Sequence, residues 1–297
     1  MDFVLSLISS PAAAELTPAL LDRVNHGLDA AGARAGGIVW LDPARAAEFP
    51  FAGDDLAVLE EIRRRLTDLP VDVNVLPAAH RRKQLLVSDM DATAIIGETL
   101  DELSTYTPHK AEIDNLTRQS VNGLMSFADT LVARVRLMQG LGEDAFARTW
   151  DTIEATPGMK TAIATMRANG AYAALVSGGF TAFTQTIADM VGFNENRANR
   201  LIAEGGKFVG RVEEPILGAE AKLSSLIELR DARKLGKAQT LAAGDGANDL
   251  PMLREAGLGV AYRAKPAVAA AADARIDHSD LTALLYVQGY AREDFVA

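Results

Sequence analysis

The sequence predicts an α/β protein: a doubly wound parallel sheet carrying an inserted helical cap, preceded by a small α+β domain. Three observations carry this expectation. Short apolar runs at 84–88, 172–177, 240–244 and 258–261 end in small or acidic residues and lead into helical stretches, the pattern of a parallel sheet covered by helices. The first two runs are separated by about 80 residues, far more than an ordinary connection needs. Before them, strand-like and helix-like segments alternate in a self-contained pattern. A chain of 297 residues, at roughly 150 per domain, accommodates both units.

The N-terminal unit reads as β-α-β-α-β. An apolar strand at 3–8 is followed by Thr17 as helix cap and Pro18 at the first helical position, with Leu21, Val24 and Leu28 on one face. Gly32 ends that helix, 37–41 forms a second strand, Leu56, Leu59, Ile62 and Leu66 mark a second amphipathic helix, and 71–75 a further strand. A weakly marked strand within 43–51 would complete a ferredoxin-like fold, although proline and glycine interrupt its pattern. The linker PAAHRRK at 77–83 separates a domain 1–81 from a domain 82–297. The alanine runs at 12–14 and 267–272 are compositional, and no repeat is visible.

In the second domain the Rossmann-like sheet is expected to collect ligands at the carboxyl ends of its strands. Its first three strands run into SDMDAT, SGGF and GDGAND. The long crossover, with helical patterning at 98–104, 126–141 and 143–150, forms a cap inserted at about 97–157 over that edge. A hairpin is expected at 201–212 about Gly205–Gly206.

Composition removes several classes of function. Hydrophobic residues make up 48% and charged residues 24%, as in water-soluble globular proteins, and no apolar run is long enough for a membrane span. Forty acidic against thirty basic residues give a net charge of −10, which opposes nucleic-acid binding. The absence of cysteine excludes disulfides, thiolate metal sites and a cysteine nucleophile. His26, His80, His109 and His278 are scattered without metal-ligand spacing. The N-terminus lacks a secretory pattern, and the chain reads as cytoplasmic.

The chemistry concentrates at the strand ends. Asp89 and Asp91, with Thr93, leave the first strand as two carboxylates suited to nucleophile and proton donor. Ser177, Gly178 and Gly179 offer a hydroxyl and unobstructed N–H groups to an oxyanion. Lys222 could neutralise phosphate charge. Asp245, Asn248 and Asp249 on a glycine turn suit Mg²⁺, which takes one or two carboxylates and hard oxygen ligands. Taken alone, the Asp89–Asp91 pair reads equally as a solvated acidic turn, 177–179 as an ordinary strand-to-helix turn and Lys222 as an exposed helix charge, whereas 245–249 favours a metal over a surface turn. Their order along one sheet is what selects the functional reading.

In that order the motifs resemble those of the haloacid dehalogenase (HAD) superfamily, over Gln84 to Leu284, and within it the branch that acts on phosphoserine. The resemblance implies a HAD-like sheet, Asp89 as nucleophile, Asp91 as general acid and base, and Ser177, Gly178, Lys222 and Asn248 on the phosphoryl group. It also implies Mg²⁺ held by Asp89, the Asp91 carbonyl and Asp245, with Asp249 in support. In the cap, GETLDEL resembles the segment whose glutamate, here Glu98, meets the substrate ammonium, and MSFADTLVARVRLMQGL the one whose arginine, here Arg134, meets the carboxylate. Ala92 stands where serine is usual, and Thr99 where many members have cysteine; neither change removes a charged group. The expected partner is a small phosphate ester, phosphoserine, without nucleic acid or membrane. The first domain resembles small amino-acid-binding regulatory units and could also support a homodimer. Hydrolysis of another small ester, a receiver-like phospho-acceptor, or a regulator with a vestigial catalytic half are the alternatives.

Overall fold

The computed structural model describes residues 1–10, 15–121 and 123–296, so the 12–14 alanine run lies outside the described residues. In the first domain, β1 (Phe3–Ser9), α1 (Pro18–Ala30), β2 (Arg34–Ala35), β3 (Val39–Asp42), β4 (Ala46–Ala52), α2 (Asp55–Arg65) and β5 (Val71–Pro77) follow one another. The antiparallel sheet runs β2-β4-β1-β5, with β3 also on β4, which is the ferredoxin-like arrangement. The weakly marked strand is thus β4, a full central strand paired with β1 from Phe3↔Phe51 to Ile8↔Ala46. The segment expected at 37–41 is the short edge strand β3, shifted to Val39–Asp42.

Thr17 caps α1 by accepting the Leu20 N–H at 3.3 Å, and Asp54 caps α2 through the Ala57 N–H at 3.0 Å, as their positions before the apolar periods require. The two helices cross at Gly27, where a Cβ would lie 2.4 Å from Ile62 Cδ1. The inner face of α2 is Val58 and Ile62; Leu56, expected on that face, is 66% exposed because it precedes Val58 by two residues, about 200° around the helix, and so lies on the opposite side.

Both faces of the sheet are buried along β1, β4 and β5, while β2 and the first half of β3 are exposed. Leu5 and Leu7 pack under the helices, whereas Ile8, Ala46 and Leu76 join the core of the larger domain. The Asp72 carboxylate accepts the N–H groups of Asp277, His278 and Ser279 at 2.7, 3.0 and 2.9 Å. The Asn74 amide exchanges two bonds with the Arg275 backbone at 3.0 and 2.8 Å. Residues 77–83 are not a free tether: Arg81 pairs with Glu48 and donates to the Val287 carbonyl.

The second domain opens with β6 (Leu85–Ser88). After β7 (Ile95–Ile96) come α3 (Thr99–Ser104), α4 (Lys110–Val121), α5 (Phe127–Leu137) and α6 (Glu143–Trp150), and then β8 (Glu154–Ala155). β7 and β8 pair as a two-residue antiparallel ribbon that closes the base of the cap. Helix α5 stops at Leu137, short of the expected 141, because the following backbone turns at Gly140 (φ +89°) and bonds to Phe208 through Gly140 N–H at 2.9 Å and Leu141 C=O at 2.9 Å.

The chain continues through α7 (Met159–Ala168), β9 (Tyr172–Phe180), α8 (Thr181–Val191) and β10 (Glu195–Asn199), then the expected hairpin β11 (Leu201–Glu204) and β12 (Lys207–Val212). α9 (Ala219–Ala232), β13 (Thr240–Gly244), α10 (Leu250–Glu255), β14 (Gly259–Tyr262), α11 (Pro266–Ala269), β15 (Ala274–Ile276) and α12 (Ala283–Tyr286) complete it. The parallel sheet has the order β10-β9-β6-β13-β14-β15. Alternation along β6 shows the double winding: Leu86 enters one core, while Leu85 and Val87 enter the core on the other face. Among the described residues no helix is long and apolar enough to cross a membrane.

Candidate active site

β6 lies between β9 and β13, with Ser88 opposite both Leu175 and Ala243, so three motif-bearing loops leave the sheet side by side. Asp89 is the first residue beyond β6, anchored by its N–H to the Ala243 carbonyl at 2.9 Å. Its Oδ1 accepts the Met90 N–H at 2.7 Å and lies 2.7 Å from Lys222 Nζ. Lys222, in the first turn of α9, is buried and also donates to Asp249 Oδ1 at 2.6 Å. Asp249 Oδ2 accepts the N–H groups of Asp245 and Gly246 at 3.1 and 2.9 Å, so both its oxygens are engaged. Carboxylate oxygens of Asp89, Asp245 and Asp249 lie within 4.8 Å of one another, and Thr93 Oγ1 donates to Asp245 at 3.4 Å. This loop needs Gly244: a Cβ there would stand 2.3 Å from Cγ of Asp249, whose carboxylate is pinned by its hydrogen bonds.

The electrostatics follow from this crowding. Burial, then the Asp249 charge, raise Asp89 well above the usual carboxylate range against the pull of Lys222. Asp245 is raised to about 6 by burial and Asp249. Burial works against the Lys222 charge, but Asp89 and Asp249 outweigh it and hold the ammonium protonated. Three clustered carboxylates share one ammonium, and the excess negative charge together with the hard oxygen donors fits a divalent cation.

Asp91 is half-buried beside this group. Its Oδ1 accepts the Thr99 N–H at 2.7 Å, while Oδ2 lies on the side of Gly179, 3.3 Å from where a Cβ there would sit. Burial raises its pKa, with the Thr99 N–H and Lys222 opposing. The turn behind it uses Ala92 at φ +50°, whose N–H reaches the Gly97 carbonyl at 2.8 Å. β9 runs on to Phe180, past the expected end at 177, so Ser177 is buried within the strand, where its Oγ accepts the Gly179 N–H at 2.8 Å. Gly178 is held from behind by the Asn199 amide at 2.8 Å and covered in front by Phe127 of the cap, whose ring leaves no room for a Cβ.

The structure thus brings Asp89, Asp91, Lys222, Asp245 and Asp249 into one cluster, with the last residues of β9, including Ser177 and Gly178, beside Asp91. Asn248 stands exposed at the rim. Glu98, although exposed, is raised to about 8 by desolvation in the cleft and by the charges of Asp91, Asp245 and Asp101, with Arg134 opposing. Arg134 is largely buried and donates through Nη2 to Asp101 Oδ1 at 2.8 Å. Two neighbours carry no expectation from the sequence. Asp101 follows Glu98 by three residues, a helical spacing that could have marked it. Phe127 meets Gly178 and Gly218 only through the fold, and no local pattern announces it.

The haloacid dehalogenase-like hydrolase profile matches residues 86–254, and the chain belongs to that family. It is 33% identical over 299 residues to the phosphoserine phosphatase of Streptomyces coelicolor, covering 99% of this chain and 72% of that one. The crystal structure of a probable phosphoserine phosphatase from Vibrio cholerae, unliganded, superposes with a TM-score of 0.81 at 26% identity, over 99% of this chain and 88% of the other. A substrate-bound phosphoserine phosphatase complex is 32% identical, with a TM-score of 0.64 over 71% of this chain and 99% of its own.

Proposed function

We propose that the protein hydrolyses O-phospho-L-serine to L-serine and phosphate, with Mg²⁺, through a phosphoryl group carried on Asp89. The observation that carries the reading is the asymmetry of the Asp89 carboxylate. Met90 N–H and Lys222 fix Oδ1, while Oδ2 takes no hydrogen bond among the described residues. A nucleophile is thereby oriented with one oxygen free for in-line attack. The similarity to the Streptomyces coelicolor phosphatase supports the substrate.

Asp89, Asp245 and the Asp91 carbonyl would hold Mg²⁺, and Asp249, whose oxygens are both occupied, would support them from behind. When bound, the ion supplies positive charge that offsets repulsion between the carboxylate and the phosphate dianion. Asp89 Oδ2 attacks phosphorus as the bond to the serine oxygen breaks. Asp91, whose pKa burial raises, gives that oxygen its proton from Oδ2, since Oδ1 faces the Thr99 N–H. The ionised Asp91 then takes a proton from the water that attacks phosphorus, which releases phosphate and restores Asp89. Lys222, the Ser177 hydroxyl, the Gly178 N–H, and Asn248 at the rim bind the phosphoryl oxygens. Glu98 and Arg134 hold the ammonium and carboxylate of the substrate.

The test is phosphate release from L-phosphoserine, phosphothreonine, a sugar phosphate and p-nitrophenyl phosphate, each with and without Mg²⁺. Preference for phosphoserine by at least about tenfold in kcat/KM, one decade of discrimination, is the expected result. Equal turnover of all four would reduce the reading to an unspecific phosphatase.

A further inference from the structure

Arg134 is held in an unusual way for a buried guanidinium. Its side chain is 15% exposed, and one N–H of Nη2 goes to Asp101 Oδ1 at 2.8 Å. Its Nε is buried with no hydrogen-bond partner among the described residues. An unmade bond at a buried donor is unfavourable unless something else completes it. Nη2 carries two hydrogens. Asp101 takes one of them, and a carboxylate meeting the Nε–H and the other would be held at two points, side-on.

Asp101 is suited to this task by position. It lies on α3, one turn beyond Glu98, while Arg134 projects from α5. The contact therefore joins two cap helices at the wall of the site. Arginine carries considerable rotamer entropy, and fixing it before the ligand arrives lowers the cost of binding.

We propose that Asp101 is a positioning residue for substrate recognition: it holds the Arg134 guanidinium by one N–H, so that the unpartnered Nε–H and the remaining Nη2–H meet the ligand carboxylate already oriented. This rests on the reading of Arg134 as the carboxylate anchor. It assigns to Asp101 a share in selecting amino-acid esters, exerted through Arg134 and not by contact with the reacting atoms.

The experiment compares Asp101→Ala, Asp101→Asn, Arg134→Ala and the double alanine variant, measuring KM and kcat for phosphoserine and the inhibition constant of inorganic phosphate. Asp101→Ala should raise KM about tenfold, the scale of one hydrogen bond to a charged group, with kcat within about twofold and phosphate inhibition unchanged. Asp101→Asn keeps an acceptor oxygen and should stay near wild type. Asp101→Ala should add nothing once Arg134 is alanine. Should the alanine variant fold poorly, Asp101→Ser, too short to reach Nη2, serves the same comparison. If Arg134→Ala raises KM and Asp101→Ala does not, this inference alone fails. If Arg134→Ala leaves KM unchanged, the carboxylate anchor itself is wrong and the inference falls with it. Weakened phosphate inhibition in Asp101→Ala, or an asparagine variant as impaired as the alanine one, would show a general distortion or a charge effect and overturn it.

Discussion

Replacing Asp249 by asparagine tests the buried network behind the site. The Asp249 carboxylate has one oxygen 2.6 Å from Lys222 Nζ and the other on the N–H groups of Asp245 and Gly246. An asparagine oriented to keep the latter bonds must point its NH₂ at the ammonium, donor against donor. Breaking a buried ion pair generally costs about 3 to 5 kcal/mol. Lys222 keeps Asp89 as a second partner at 2.7 Å, so a loss of about 2 to 3 kcal/mol is expected. In a domain of this size that is a fall in Tm of roughly 4 to 12 °C. Urea unfolding of the two proteins at neutral pH gives the stability, and phosphate release the activity, which should fall because Lys222 is drawn wholly onto Asp89. Unchanged unfolding and unchanged kcat would refute the claim that Asp249 balances Lys222.

Asp91→Asn should lower kcat by about 10²- to 10⁴-fold, the usual worth of a general acid, while KM for phosphoserine changes little; a near-normal kcat would remove Asp91 from proton transfer. Activity should vanish on chelation and return with Mg²⁺, whereas Ca²⁺, which accepts more oxygens at longer distance, should inhibit; full activity in verified metal-free protein would contradict the cation site. Lys83 is pushed down from its ordinary 10.5 to about 8, chiefly by burial and then by Arg81. The unfolded chain therefore binds the extra proton between pH 8 and 10.5, so this group makes stability rise with pH across that window. Lys83→Met should flatten the rise, as read from urea midpoints at pH 7.5, 9 and 10.5, and an identical slope in both proteins would contradict the assignment. Asp72→Ala strands three N–H groups of 277–279 and should lower stability by about 2 kcal/mol or more; no change would show that the domain contact contributes nothing.

Much of the fold was legible because the central strands of the parallel sheet are continuous apolar runs with motif residues at their ends. β10 was not legible, since ENRAN is a polar edge strand defined by its pairing with β9. β4 was only half legible because Pro50 interrupts its pattern, yet the neighbouring β1 imposes the pairing. VDVNV in β5 reads as a strand with one wet face, but Asp72 and Asn74 are 2% and 0% exposed. Their partners are backbone groups of the other domain, which no alternation rule contains. In the site, charged groups announced themselves by type and order. The tie of Arg134 to Asp101 and the seat of Phe127 against Gly178 arise from packing between distant segments and had to be seen in three dimensions.

The central claim is that Asp89 carries the phosphoryl group, and chemical trapping tests it most directly. Protein turning over phosphoserine is quenched with borohydride, which reduces an acyl phosphate to the corresponding alcohol, and the digest is mapped by mass spectrometry. Reduction at position 89 alone, dependent on phosphoserine and absent from Asp89→Asn, is the predicted result. Vigorous turnover with an unmodified Asp89, or reduction at another carboxylate, would contradict the account.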